Sequence, residues 1–128
     1  TSGMSHLVDT DILVDHIRKR PGAAEYLDSL GTWSYSIITA MELFAGADNK
    51  KEIRKLEDFL ADFREVHLSA HIGAKGREIM KAYSKSDGMQ PTDALIAATA
   101  ITEGLTLATR NKKHFRAIKN LNLEVPAY

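Results

Sequence analysis

The sequence predicts an α/β domain with a central parallel sheet of four to five strands flanked by helices on both faces. Short apolar, β-branched runs recur along it, and each is followed by a capping residue and a stretch with helical spacing. Strands separated by helices require crossovers, which are right-handed and place helices on both sides of a parallel sheet. The 128 residues, 44% hydrophobic and 27% charged, are enough for one such domain and too few for a second core.

The elements follow in order. His6–Leu7–Val8–Asp9 reads as a buried strand running into a helix over about 11–19. Pro21 is placed to open a second helix in its first turn, with Gly31 just past its end. Trp33 to Ile38 has the aromatic and β-branched character of a second strand. Thr39 then reads as the cap of a helix containing Met41 to Gly46, and Asn49 as the cap of a longer one. In that longer helix Ile53, Leu56, Phe59, Leu60 and Phe63 recur at helical spacing, which suits core or a partner interface. Glu65 to Leu68 reads as a third strand, and Ser69 as the cap of a helix reaching about Ser86. Pro91 restarts a helix that is apolar on every face and so belongs deep in the domain, ended by Gly104. Leu105 to Ala108 reads as a fourth strand and Leu123 to Val125 as a fifth.

Composition excludes several classes of function. With no cysteine there is no disulfide framework, thiolate zinc site or cysteine nucleophile. No run approaches the roughly 20 apolar residues that span a bilayer. Lys and Arg total 17 and Asp and Glu total 17, so a nucleic-acid partner has to be argued from local clustering. Thr1, Ser2 and Gly3 read as appended residues before a natural start at Met4, leaving one domain over 4–128. No signal peptide follows Met4, so the cytoplasm is the expected location.

In open parallel sheets ligands gather beyond the carboxyl ends of the strands. Asp9 and Asp11 fall at the end of the first strand, Glu42 in the helix after the second, Asp93 at the head of the all-apolar helix, and Asn111 after the fourth strand. Asp9 also suits an N-cap or Asx turn, and Asp93 suits a helix N-terminus through the dipole alone. However, Asp93 heads a stripe of Ile96, Ala97, Ala100 and Ile101, where an unpaired carboxylate is costly. Glu42 has no cation three or four residues away, which leaves it either a site residue or a solvated edge. If Asp9, Glu42 and Asp93 converge, like charges that close require compensating protons or cations. An all-oxygen set suits Mg²⁺ or Mn²⁺, which serve phosphodiester hydrolysis without a covalent nucleophile.

Four segments carry a family likeness: Leu7–Val8–Asp9–Thr10–Asp11, Ser36 to Leu43, Pro91 to Ala98, and Leu107–Ala108–Thr109–Arg110–Asn111 with His114–Phe115 beyond. In this order and spacing the chain resembles the PIN-domain ribonucleases, specifically VapC-type toxins of toxin–antitoxin pairs. The resemblance implies a PIN-like fold over the chain after Met4. It also implies a Mg²⁺- or Mn²⁺-dependent endoribonuclease in which Asp9, Glu42 and Asp93 are catalytic, with Asp9 and Asp93 on the metal. Asp11, Thr39 and Asn111 are the supporting residues. The implied partners are the RNA substrate, a small antitoxin and a second copy in a homodimer. Many members carry an acid at the position of Asn111, and many carry one at that of His114, which puts a second metal in doubt.

No Asp or Glu occurs from Gly104 to Leu123, whereas Arg110, Lys112, Lys113, Arg116 and Lys119 do. This excess beside the acids suits either a polyanionic backbone, met first by Arg110, Lys112 and Lys113, or a solvated basic face. His67 and His71 fit structural or surface roles better than a metal pair, because Ser69 places them on different elements. Two rival readings use Asp9 and Asp11: a receiver-like signalling domain and a haloacid-dehalogenase-type phosphatase. The first needs an Asp ending a central third strand, the second a downstream Lys and paired acids. Neither accounts for Glu42 or Asp93.

Overall fold

Five short strands set the frame: β1 (His6–Val8), β2 (Ser34–Ser36), β3 (Arg64–Val66), β4 (Thr106–Ala108) and β5 (Leu123–Glu124). All pair in parallel in one sheet, in the order β3-β2-β1-β4-β5. The computed structural model describes residues 6–85 and 88–128, so the expectations for Thr1–Gly3, for Met4 and for a helix end at Ser86 lie outside the described residues. The crossovers carry α1 (Thr10–Ile17), α2 (Ala23–Leu30), α3 (Ile37–Ala45), α4 (Lys50–Leu60), α5 (Ala70–Tyr83), α6 (Pro91–Glu103) and α7 (Lys112–Phe115).

Side chains alternate across a strand, and here the alternation feeds two cores. Leu7 and Leu107 pack with Ile72, Ile79, Ile96 and Ala97 on one face. Val8 and Ala108 pack with Ile12, Leu13, Leu43, Leu56 and Leu60 on the other. As its composition predicts, α6 is buried nearly all round, at Ala94 and at every position from Ile96 to Ala100. The apolar stripe after Asn49 divides: Leu56 and Leu60 are core, Ile53 is exposed, and Phe63 falls past the helix, stacked on Trp33 at 3.8 Å between ring centroids.

Two local expectations are corrected. Pro21 does not open α2. The Ala23 amide donates to the Arg20 carbonyl at 3.1 Å, and Gly22 has φ +94° and ψ −20°, which makes 20–23 a type II turn with Pro21 and Gly22 at its centre. Thr39 does not cap α3. Ser36 does, accepting from the Ile38 amide at 3.0 Å, so Ile37 and Ile38 leave the predicted strand and Thr39 is buried inside the helix. The caps Asn49 and Ser69 stand where expected. The short helix α7 was not expected.

Gly22 yields the first testable consequence. A Cβ there would lie 2.5 Å from Tyr128 Cβ, at a φ that L-residues avoid. Gly22→Ala should therefore cost about 1–3 kcal/mol, read as a lowered Tm; an unchanged Tm would show that the turn and Tyr128 relax freely.

The register Leu7↔Leu107 and Val8↔Ala108 sets the carboxyl ends of β1 and β4 level, and the ladder continues with the Asp9 amide donating to the Ala108 carbonyl at 2.9 Å. From β1 the chain crosses to β2 on one side, and from β4 it crosses to β5 on the other. The diverging connections open a crevice beyond these two strand ends.

Candidate active site

Asp9 leaves β1 as the N-cap of α1, its Oδ1 accepting from the Thr10 amide at 2.8 Å. Its Oδ2 accepts from the Thr109 hydroxyl at 2.7 Å, across the crevice on the residue that follows β4. The side chain is only 6% exposed. Burial pushes its carboxyl up to about 7, and the Asp11 charge adds to this. The bonds from Thr109 and Thr10 oppose the rise, and Asp93 adds a further repulsion. Asp11, one helical step on, accepts from the Arg110 amide at 3.0 Å and lies 3.3 Å from Thr109 Oγ1. Its carboxyl is also raised, mainly by burial.

Asp93 enters from the head of α6. Its Oδ2 accepts from the Gln90 amide at 3.0 Å in a capping box, and His114 Nδ1 lies 3.2 Å from the same oxygen. The bland role expected of Asp93 is therefore real, and it coexists with placement beside Asp9. Glu42 is exposed. It reaches the group through Thr10, whose Oγ1 lies 2.6 Å from Glu42 Oε1 and 2.9 Å from Thr39 Oγ1. Thr39 thus meets Thr10 as an internal hydroxyl, although it caps nothing.

The remaining predicted residues line one rim. Asn111 donates its amide to Thr109 Oγ1 at 3.0 Å, and its side chain meets His114 Nδ1 at 2.7 Å. Lys112 and Lys113 are exposed at the start of α7. Arg110 is half-buried and committed: its Nη1 lies 3.2 Å from Asp15 Oδ2, and its guanidinium stands 5.1 Å from the Tyr128 ring centre. His67, as expected, pairs with Glu65 at the surface, at 2.7 Å.

Sequence reasoning missed Thr109 as a functional group. It is wholly buried, and its one hydroxyl joins Asp9, Asp11 and the Asn111 backbone. A threonine after an apolar run carries no signal until β1 is known to be its neighbour. Asp15 and Tyr128 were missed too; the Tyr128 hydroxyl donates to Asp15 at 2.8 Å and so braces Arg110.

Among the described residues, no Lys or Arg forms a salt bridge with Asp9, Asp11, Glu42 or Asp93. Nor, among those residues, do three or more His, Cys, Asp or Glu side chains gather into a group that could hold a metal ion by themselves. The arrangement fits a hard cation that keeps several of its waters, as Mg²⁺ does when it is held by one or two carboxylates. Asp9 supplies the physical reason: a buried carboxylate whose ionisation the fold itself opposes is one that a cation would favour.

Comparison with known proteins identifies the fold and the family. The family model described as PIN domain matches residues 6–121. The chain is 36% identical over 121 residues to Ribonuclease VapC1 of Methanocaldococcus jannaschii, covering 93% of this chain and 85% of that protein. Among solved structures, VapBC2 from Rickettsia felis bound to a promoter DNA fragment superposes with TM-score 0.83 and 31% identity, over 96% of this chain and 99% of that one. A toxin–antitoxin complex from Klebsiella pneumoniae gives TM-score 0.80 and 30% identity, over 91% and 95%.

Proposed function

The chain belongs to the PIN-domain family and, within it, to the VapC ribonucleases, and from that premise we propose how its own residues cut RNA and what it works with. It is an endoribonuclease, a hydrolase of RNA phosphodiester bonds, and the toxin of a toxin–antitoxin pair. The reading of its site rests on one observation: Asp9 is buried beside Asp11 and Asp93 at the sheet's switch point, and among the described residues no Lys or Arg side chain pairs with any of the three, while His114 stands 3.2 Å from Asp93 Oδ2.

Asp9 and Asp93 would hold Mg²⁺ or Mn²⁺, with Asp11 supporting from α1. When bound, such an ion activates water and stabilises the leaving oxygen in phosphodiester hydrolysis. Thr109 holds Asp9 in place by its hydroxyl, and Thr10, itself bonded to Thr39, holds Glu42 at the open mouth, where its carboxylate would take a proton from attacking water. Lys112 and Lys113 on the exposed rim meet the RNA backbone. Arg110 stands at the same rim with part of its charge spent on Asp15.

The partners follow from the same premise: an antitoxin, as in the toxin–antitoxin complexes that this chain resembles, and a second copy in a homodimer. Among the described residues no helix is long and apolar enough to cross a membrane, and we assign the action on RNA to the cytoplasm. The receiver-like reading loses its footing because β3 is an edge strand ending at Val66 with no Asp after it. The phosphatase reading leaves Glu42 and Asp93 without a role.

The deciding assay incubates the purified chain, free of antitoxin, with total RNA with and without Mg²⁺ or Mn²⁺ and maps the new ends. Discrete internal cuts that vanish on chelation are expected; intact RNA with either ion overturns the proposal. Lys112→Ala with Lys113→Ala should weaken RNA binding and reduce the slope of log affinity against log salt by about 1–2. An unchanged slope removes the rim from the interface.

A further inference from the structure

The half of the site facing α7 differs chemically from the half facing α1. Asp9 and Asp11 are anionic ligand candidates on the α1 side, whereas α7 contributes Asn111 and His114. Asn111 and His114 bond to each other at 2.7 Å, and His114 Nδ1 lies 3.2 Å from Asp93 Oδ2, the oxygen that also accepts from the Gln90 amide. Either ring tautomer uses Nδ1 within this trio. It accepts from Asn111 Nδ2, or, with the amide turned, its proton is shared between Asn111 Oδ1 and Asp93 Oδ2. The trio is held in place from both ends. Phe115, beside His114, is 1% exposed in the core, and the His114 amide donates to the Asn111 carbonyl at 3.1 Å.

From this arrangement we infer that the site holds one divalent cation, on the Asp9 side, and that the Asn111–His114 pair closes the place where an acid at either position would hold a second. Two divalent ions repel each other four times as strongly as two unit charges at the same separation, so a pair is retained only where anionic ligands offset them. Among the described residues the anion on the α7 side is Asp93, whose Oδ2 already accepts from the Gln90 amide and stands 3.2 Å from the imidazole Nδ1. This inference rests on the metal-nuclease reading above and adds the count of ions.

The test is the number of Mn²⁺ ions bound per chain, read by loss of the free-ion electron paramagnetic resonance signal and by calorimetry, without RNA. The parent protein should bind one ion. Asn111→Asp with His114→Asp should bind a second, at least about tenfold tighter than any further binding by the parent. Should that variant fail to melt cooperatively, Asn111→Asp alone is titrated in the same way. Two ions of comparable affinity in the parent overturn the inference, as does a folded acid variant that stays at one. A parent that binds no ion and leaves RNA intact sinks the nuclease reading beneath it, which is a different result from a parent that cleaves RNA and binds two.

Discussion

Replacing Asp9 by asparagine should abolish RNA cleavage and at the same time make the metal-free protein harder to unfold. The loss of activity should far exceed the roughly 10–100-fold cost of losing an outer-shell partner, because Asp9 is the buried acid that would hold the ion. The gain in stability follows from linkage. Folding raises the Asp9 carboxyl from 3.8 to about 7, so folding favours its protonated form. That contribution is complete below about pH 4 and is lost as pH rises through about 7. Asp11 is shifted in the same direction and adds to the loss. Asparagine is neutral at every pH. Its Oδ1 still accepts from the Thr10 amide, and its Nδ2 donates to Thr109 Oγ1 in place of the bond that ran the other way. At pH 8 without metal, Asp9→Asn should melt roughly 5 °C or more above the parent, and the two should converge near pH 4. Adding Mg²⁺ or Mn²⁺ should raise the Tm of the parent more than that of the variant. A variant that melts below the parent at pH 8 would mean that the buried charge is already compensated within the fold.

Asp93 should separate two roles that its geometry combines. Asp93→Asn keeps an oxygen for the Gln90 amide but removes the negative charge; it should retain the parent stability within about 1 kcal/mol and still lose cleavage by about 100-fold or more. Asp93→Ala should lose both the activity and the cap, costing about 1 kcal/mol of stability besides. Measuring cleavage rate and thermal midpoint on both variants distinguishes the roles. If asparagine restores cleavage as well as the cap, Asp93 is a helix-capping residue and the site is built without it.

Most of the framework was legible before any coordinates, for identifiable reasons. Strand and helix periods differ, so Leu7–Val8, the stripe after Asn49 and the all-apolar stretch after Pro91 announce their elements by spacing alone. Caps were legible where one polar residue stood alone, as at Asn49 and Ser69. They were misread where two competed: Ser36 and Thr39 both suit a cap, and only the three-residue length of β2 decides for Ser36. Pro21 was misread because a proline suits a helix start and a type II turn equally, and Gly22 settles the matter by its positive φ. At the site, Asp9, Asp11, Glu42, Asp93 and Asn111 were all nameable in advance from chemistry and element order.

Chain order and residue type by themselves determined an α/β domain, the acids that end its strands and the absence of any cysteine thiol. What only the tertiary structure decided is which groups bond across the crevice: Thr109 on Asp9, Thr10 on Glu42, His114 on Asp93. Those bonds depend on β1 and β4 being level neighbours and on α6 and α7 meeting beyond them, contacts between residues far apart in sequence. Local propensity carries no information about such pairings, because packing both faces of the sheet sets them.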